Sequence, residues 1–214
     1  MHKFRVPFAP EGLWPVLASL ALVVLLFWIH PLAALPALPV FLFLLWFFRS
    51  PDRRIEMDPA ALLSPADGKV MSVVPVAHDP LLGGPAVRVS IFMSVFSVHV
   101  NRAPCSGRVA RIEYREGSFL PAFKSHACEL NERNSLLIDC EAGDRRVRVN
   151  QITGMLARRI VCDVHEGDRV SQGARFGMIK LGSCAELVMP PACAVMVQPG
   201  QQVRAGKTVI ATWQ

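Results

Sequence analysis

The chain has 214 residues, of which 52% are hydrophobic, and a formal net charge of +6. That length suits one domain with an added segment. A basic balance favours nucleic acid or an anionic membrane surface. There is only one Tyr and no Lys/Arg run with interleaved aromatics, which speaks against nucleic acid as a partner. Six cysteines, Cys105, Cys128, Cys140, Cys162, Cys184 and Cys193, show no CxxC spacing. No zinc motif is signalled, and they read as small buried thiols rather than the disulfides of an exported protein.

From Gly12 to Phe48 there is no Asp, Glu, Lys or Arg, and His30 is the only titratable side chain. A membrane span needs about 20 apolar residues. The run therefore suits one helix or a hairpin of two, and is too long for a cleaved signal peptide. Pro31, Pro36 and Pro39 divide it. They predict a helix from about Leu13 to Ile29, a bend, and a second arm from about Val40 to Phe48, either as two crossings or as a shallow re-entrant hairpin. Lys3 and Arg5 precede the run, and Arg49, Arg53 and Arg54 follow it. Positive flanks on both sides put both ends in the cytoplasm, at a cell membrane. Residues 1–50 are thus expected to form a membrane anchor.

The composition changes after Phe48. A polar linker is expected from Ser50 to about Leu63, and residues 51–214 form a second domain. Short alternating runs predict strands at Lys69–Val76, Ala86–Phe92, Arg108–Tyr114, Ser135–Asp139, Arg145–Ile152 and Arg159–Val164. Leu120–Asn134 is expected to be a loop or short helix. One unit recurs. Gly167-Asp168-Arg169-Val170-Ser171-Gln172-Gly173 and Gly200-Gln201-Gln202-Val203-Arg204-Ala205-Gly206 both read G-x-x-V-x-x-G. Each is followed by an apolar strand, Phe176–Ile179 and Thr208–Thr212. Such units occur in lipoyl- and biotinyl-type domains. The expected fold is therefore mainly β and barrel-sandwich-like, behind an apolar helical hairpin.

Gly182-Ser183 is one of two Gly-Ser pairs; Gly117-Ser118 is the other. Either alone reads as a turn. Five pieces in order single out the first. They are Trp46-Phe47-Phe48-Arg49-Ser50-Pro51, Ser64-Pro65-Ala66-Asp67-Gly68-Lys69-Val70, Phe92 to Pro104 with Val98-His99-Val100-Asn101-Arg102 inside it, Asn131-Glu132-Arg133-Asn134, and Leu181-Gly182-Ser183. Over nearly the whole chain this set resembles the phosphatidylserine decarboxylase proenzyme family in its short bacterial and archaeal form.

The resemblance implies self-cleavage between Gly182 and Ser183 into residues 1–182 and 183–214. The two chains would remain together as a heterodimer, alone or in a higher oligomer. Ser183 would become a pyruvoyl group, a covalent cofactor, with no metal. That group would form a Schiff base with phosphatidylserine of the membrane, releasing CO2 and leaving phosphatidylethanolamine, in an ester or ether lipid. The catalytic set implied is Ser183, His99 and Asp67. A serine hydroxyl needs a base, here His99, with Asp67 to orient it. As bare residues, His99 also reads as a polar residue on a solvent-facing strand, and Asp67 as a turn former.

Two departures stand out. Long members of the family carry two histidines three residues apart, where this chain has His99 and Arg102; either His99 does both jobs or the short form is organised differently. Cys184 follows the serine where Thr, Ser or Arg is more usual. Lys124 and His126, with Phe119, Leu120 and Phe123, belong to a loop that either binds the lipid or is solvated. The competing class is a non-enzymatic membrane-anchored carrier or adaptor with a lipoyl-like fold. Lys180 and Lys207 lack the flanks of a modified carrier lysine.

Overall fold

The computed structural model describes residues 7–120, 130–141, 143, 145–154, 159–180 and 183–214. The chain divides into two compact units, Met1–Asp52 and Arg53–Gln214.

The first unit is a helical hairpin. A 3₁₀ turn (Pro10–Gly12) leads into α1 (Leu13–Ile29), a second 3₁₀ turn (Pro31–Ala34) reverses the chain, and α2 (Leu38–Phe47) returns. Prolines at the starts of the second turn and of α2 fit, because an initial residue needs no N–H partner. At 1.5 Å per residue α1 is about 25 Å long. Pro10–Ile29 is long and apolar enough to cross a membrane. The two ends of the hairpin are stitched side by side. Ala9 N–H donates to the Phe48 carbonyl (2.7 Å) and Ser50 N–H to the Pro7 carbonyl (2.9 Å). The Phe47 and Phe48 rings meet edge to face at 5.0 Å, and Arg49 lies 3.7 Å over the Trp46 ring.

The second unit is mainly β, as expected. Its strands open with β1 (Ala61–Leu63), β2 (Gly68–Asp79), β3 (Gly84–Met93), β4 (Val100–Arg102) and β5 (Gly107–Arg115). Next come β6 (Arg133–Cys140), β7 (Arg145–Ile152), β8 (Ile160–Cys162), β9 (Arg169–Val170) and β10 (Arg175–Ile179). The last are β11 (Ser183–Met189), β12 (Ala194–Val195), β13 (Gln202–Val203) and β14 (Val209–Thr212). The expected linker thus ends early: Ala61–Leu63 is a buried strand paired with β14. An eight-stranded antiparallel sheet runs β13-β2-β3-β11-β7-β6-β5-β9, and two three-stranded sheets run β1-β14-β12 and β4-β10-β8.

These orders are symmetric about the β11–β7 pair. β13 answers β9, β2 answers β5, and β3 answers β6. The two small sheets match strand for strand, β1 with β4, β14 with β10 and β12 with β8. The recurring G-x-x-V-x-x-G unit supplies both edges of the large sheet, with its glycines at positive φ (Gly167 92°, Gly173 74°, Gly200 94°, Gly206 67°). One half, β4 to β10, is continuous in sequence. The other is interrupted by it, between β3 and β11. Met93 opposite Ser183 therefore corresponds to Cys140 opposite Arg145, where a short turn joins β6 to β7.

The symmetry extends to close contacts. A Cβ on Gly68 would lie 2.1 Å from the Phe92 carbonyl oxygen, and one on Gly107 would lie 2.2 Å from that of Asp139. Backbone cannot yield as a side-chain tip can. Gly68→Ala is expected to cost about 3 kcal/mol, whereas Gly84→Ala, with open space around it, stays within about 0.5 kcal/mol. Chemical denaturation midpoints check both.

Ile91, Val89, Ala185, Leu187, Val149, Val147, Leu136 and Ile138 form the core on one face of the sheet. The other face carries buried charge. Glu186 accepts from Ser90 Oγ (3.0 Å) and Asn150 Nδ2 (2.8 Å), and Arg148 pairs with Asp79 at 2.7 Å. Burial pulls Arg148 below the usual guanidinium range, while Asp79 and Glu186 oppose that fall. Cys105 and Cys140 are buried thiols with sulfurs 3.2 Å apart. Their hydrogen bond and burial push Cys105 well up, and the same bond lowers Cys140.

Candidate active site

Ser183 opens β11, the strand at the centre of the large sheet, and is fully buried. Ser118 of the other Gly-Ser pair is exposed. On one side β11 pairs with β3 through seven residues, Ser183↔Met93 to Met189↔Val87. On the other it pairs with β7, from Cys184↔Ile152 to Val188↔Arg148. The Ser183 hydroxyl donates to Met93 Sδ at 3.4 Å. Leu181 and Gly182 lie outside the described residues, as do Lys124 and His126. Cys184 is also buried, packed with Ile152, Met71 and Phe92. Successive strand residues face opposite ways, so its thiol lies across the sheet from the Ser183 hydroxyl.

His99 is fully buried just ahead of β4, so the solvent-facing reading falls. Its Nδ1 lies 3.0 Å from the Ser97 carbonyl oxygen. A carbonyl only accepts, so this bond puts the proton on Nδ1 and leaves the lone pair of a neutral ring on Nε2. That is the tautomer a general base needs. The His99 carbonyl accepts from Ile179 N–H (3.2 Å) at the end of β10. Four Cα steps separate Ile179 from Ser183, at most about 15 Å.

The Asp67 carboxylate is engaged elsewhere. Arg53 grips it with both terminal nitrogens (2.6 and 2.7 Å), and Ala205 N–H donates to Oδ1 at 2.7 Å. Ser106 fills the matching place in the other half, where its hydroxyl accepts from Gln172 N–H at 3.0 Å. Asp67 thus holds its turn with a contact the fold makes twice, and adds a charge that pairs with Arg53. The same turn reaches β4: the Pro65 carbonyl accepts from Arg102 N–H at 2.9 Å. Arg102, which stands where long members have a second histidine, donates from Nη1 to the Gly173 carbonyl at 2.9 Å and so secures the turn between β9 and β10.

Three buried amides were not singled out individually by the sequence. Asn134 Nδ2 donates to Gln151 Oε1 (3.0 Å), and Gln151 Nε2 donates to Asn101 Oδ1 (3.0 Å) and to the Val161 carbonyl (3.1 Å). Asn101 Nδ2 then faces the Pro65 carbonyl (3.5 Å) and Met93 Sδ (4.0 Å). Asn131, in the same motif as Asn134, pins the Leu120 backbone through both amide atoms at 2.8 Å.

Arranged so, a buried serine at a strand head has a buried histidine in its neighbourhood and amide donors behind it. A buried hydroxyl, an imidazole and carboxamide donors are the groups that nucleophilic and general acid–base chemistry needs.

Comparison with known proteins agrees with this chemistry. The family described as phosphatidylserine decarboxylase matches residues 40–211. The chain is 50% identical over 205 residues to a phosphatidylserine decarboxylase proenzyme of Carboxydothermus hydrogenoformans, covering 94% of this chain and 93% of the relative. It is 43% identical to the protein of that description in Symbiobacterium thermophilum, covering 98% of each. The corresponding Rhodopirellula baltica protein is 44% identical, covering 100% of this chain and 91% of the relative. With a buried serine heading the central strand and relatives matched almost end to end, the chain belongs to the phosphatidylserine decarboxylase family.

Proposed function

We propose that this chain is a proenzyme that cleaves itself between Gly182 and Ser183 and then decarboxylates phosphatidylserine to phosphatidylethanolamine. The observation that carries the reading is the placement of Ser183 at the head of β11, hydrogen-bonded into β3 and β7 along its length. A cut there severs one connection between the halves and removes no strand from a sheet. The 183–214 chain stays as four strands of a shared fold, and the two chains form a heterodimer.

In cleavage, His99 Nε2 takes the Ser183 hydroxyl proton as Oγ attacks the Gly182 carbonyl carbon. The C–N bond breaks and an ester forms. Loss of the Ser183 Cα proton then expels the Gly182 carboxylate, and addition of water with loss of ammonia leaves a ketone at residue 183. A pyruvoyl group so placed supplies an electron sink for the pair left by the departing CO2. His99 then returns a proton to the carbon that CO2 has left. Ser183 and His99 are both fully buried, and burial strengthens the hydrogen bonds they make.

Asp67 acts here by holding the turn that seats β4 and, through it, His99. Asp67→Ala is expected to lose about 2 kcal/mol of stability, the size of a charged hydrogen bond, and to slow cleavage. The unfolding midpoint and a cleavage time course measure the two effects, and cleavage at the wild-type rate would remove Asp67 from the site. The apolar hairpin anchors the enzyme at its lipid substrate; the stitched ends support a hairpin with both flanks on one side, and the basic residues of those flanks make it the cytoplasmic side.

Denaturing electrophoresis with mass spectrometry tests the reading. The native protein is expected to give two chains, the smaller spanning residues 183–214 with a blocked N-terminus and the mass of a pyruvoyl group in place of serine. One intact chain with an unmodified Ser183 would overturn it.

A further inference from the structure

Three consecutive buried carboxamides are costly in a protein interior unless each finds partners. Asn134, Gln151 and Asn101 are all buried, and they point one way. Gln151 uses both hydrogens of its amide nitrogen, on Asn101 Oδ1 and on the Val161 carbonyl. It therefore presents Oε1 to Asn134. Asn101 must then turn its nitrogen away from Gln151, toward Met93. Gly177 makes room for this: a Cβ there would lie 2.9 Å from Gln151 Nε2 and 2.2 Å from the Val161 oxygen. At the far end the chain is poorly served. The contacts of Asn101 Nδ2, 3.5 Å to oxygen and 4.0 Å to sulfur, sit at the outer limit of hydrogen bonding. The same sulfur takes the Ser183 hydroxyl at 3.4 Å.

We infer that Asn101 is a catalytic hydrogen-bond donor to the oxygen carried by residue 183 after cleavage, with Gln151 as the positioning residue that aims it. The inference rests on the proposed self-cleavage. The donor is fixed before the reaction begins, so it stabilises charge developing on that oxygen without reorganising. Met93 is the apolar neighbour that keeps water from competing.

The test uses the full-length protein and phosphatidylserine in mixed detergent micelles. Serine labelled with 13C at Cα places the label in the ketone carbon and in no other carbonyl, so an infrared difference spectrum isolates that bond. Asn101→Leu keeps the volume and removes the donor. It is expected to cleave, to shift the ketone stretch to higher frequency, and to lower kcat roughly 10²-fold with KM unchanged. An unshifted band, or kcat within threefold of wild type, overturns the inference. A folded Asn101→Leu precursor that stays whole also overturns it, because Asn101 would then belong to the cleavage step. Should Asn101→Leu not fold, Gln151→Met, which leaves Asn101 in place but unaimed, is read by the same criteria. A wild-type protein with no ketone at residue 183 defeats the self-cleavage reading instead.

Discussion

The Ser183→Ala protein is expected to remain one chain of 214 residues and to have no decarboxylase activity. Cleavage needs an oxygen on residue 183 to take over the Gly182 acyl group, and departure of that same oxygen with the Gly182 carboxylate is what lets Cα become a ketone. Both functions vanish together, and no neighbouring group replaces them. Cys184 has a nucleophilic sulfur, but it faces the other side of β11 among Ile152, Met71 and Phe92. The substitution removes one long O–H···S contact and little volume. Stability should therefore change by less than about 1 kcal/mol, and the unfolding midpoint separates loss of chemistry from loss of fold. Appearance of the 183–214 chain from this variant would show that another residue drives the cut.

His99→Ala is expected to slow cleavage by roughly 10²- to 10⁴-fold, the usual range for a positioned general base. The Ser97 carbonyl holds the ring in the tautomer with its lone pair on Nε2. A buried ring without that bond would sample both tautomers. Accumulation of the smaller chain over time, followed by electrophoresis, measures the rate. Cleavage at the wild-type rate would assign the base elsewhere. Any His99→Ala protein that does mature then tests the second job: slow turnover with a complete ketone would show that His99 also serves the decarboxylation.

The hairpin was legible because it depends on composition. A run without charges from Gly12 to Phe48, split by prolines, leaves few other structures, and α1 spans the expected Leu13–Ile29. Most long strands were legible because alternation has a period of two wherever one face is buried. Arg145–Ile152 matches in full, and β2, β3, β5 and β6 extend one to three residues past their expected ends. The short strands were harder. Ala61–Leu63 is apolar throughout and reads as the tail of a linker. It becomes a strand only because β14 supplies its partner.

The site divides in the same way. Ser183 was legible from the order of five motifs. The surroundings of His99 were not, since Val98-His99-Val100 alternates equally well with the imidazole in or out, and all three prove buried. Asp67 was ambiguous for a related reason: a carboxylate in Ala-Asp-Gly caps a turn or serves a base, and only its bonds to Arg53 and Ala205 show where its oxygens are spent. The match between Ser64-Pro65-Ala66-Asp67-Gly68-Lys69-Val70 and Ala103-Pro104-Cys105-Ser106-Gly107-Arg108-Val109 was available in the sequence, and would have disclosed the paired halves.

By itself, then, the sequence determined the apolar hairpin, the strand-rich second unit and the serine where the chain is expected to be cut, because each is written in local composition or in contiguous motifs. Tertiary structure alone decided what surrounds that serine. Asn101 and Gln151 are 50 residues apart, and Gln151 and Asn134 are 17 apart. Nothing local announces that their amides form one directed chain. They meet because β6 pairs with β7 in the large sheet and Gln151 reaches from β7 to β4 of a small one, and a hydrogen bond depends on distance in space, to which separation along the chain gives no guide.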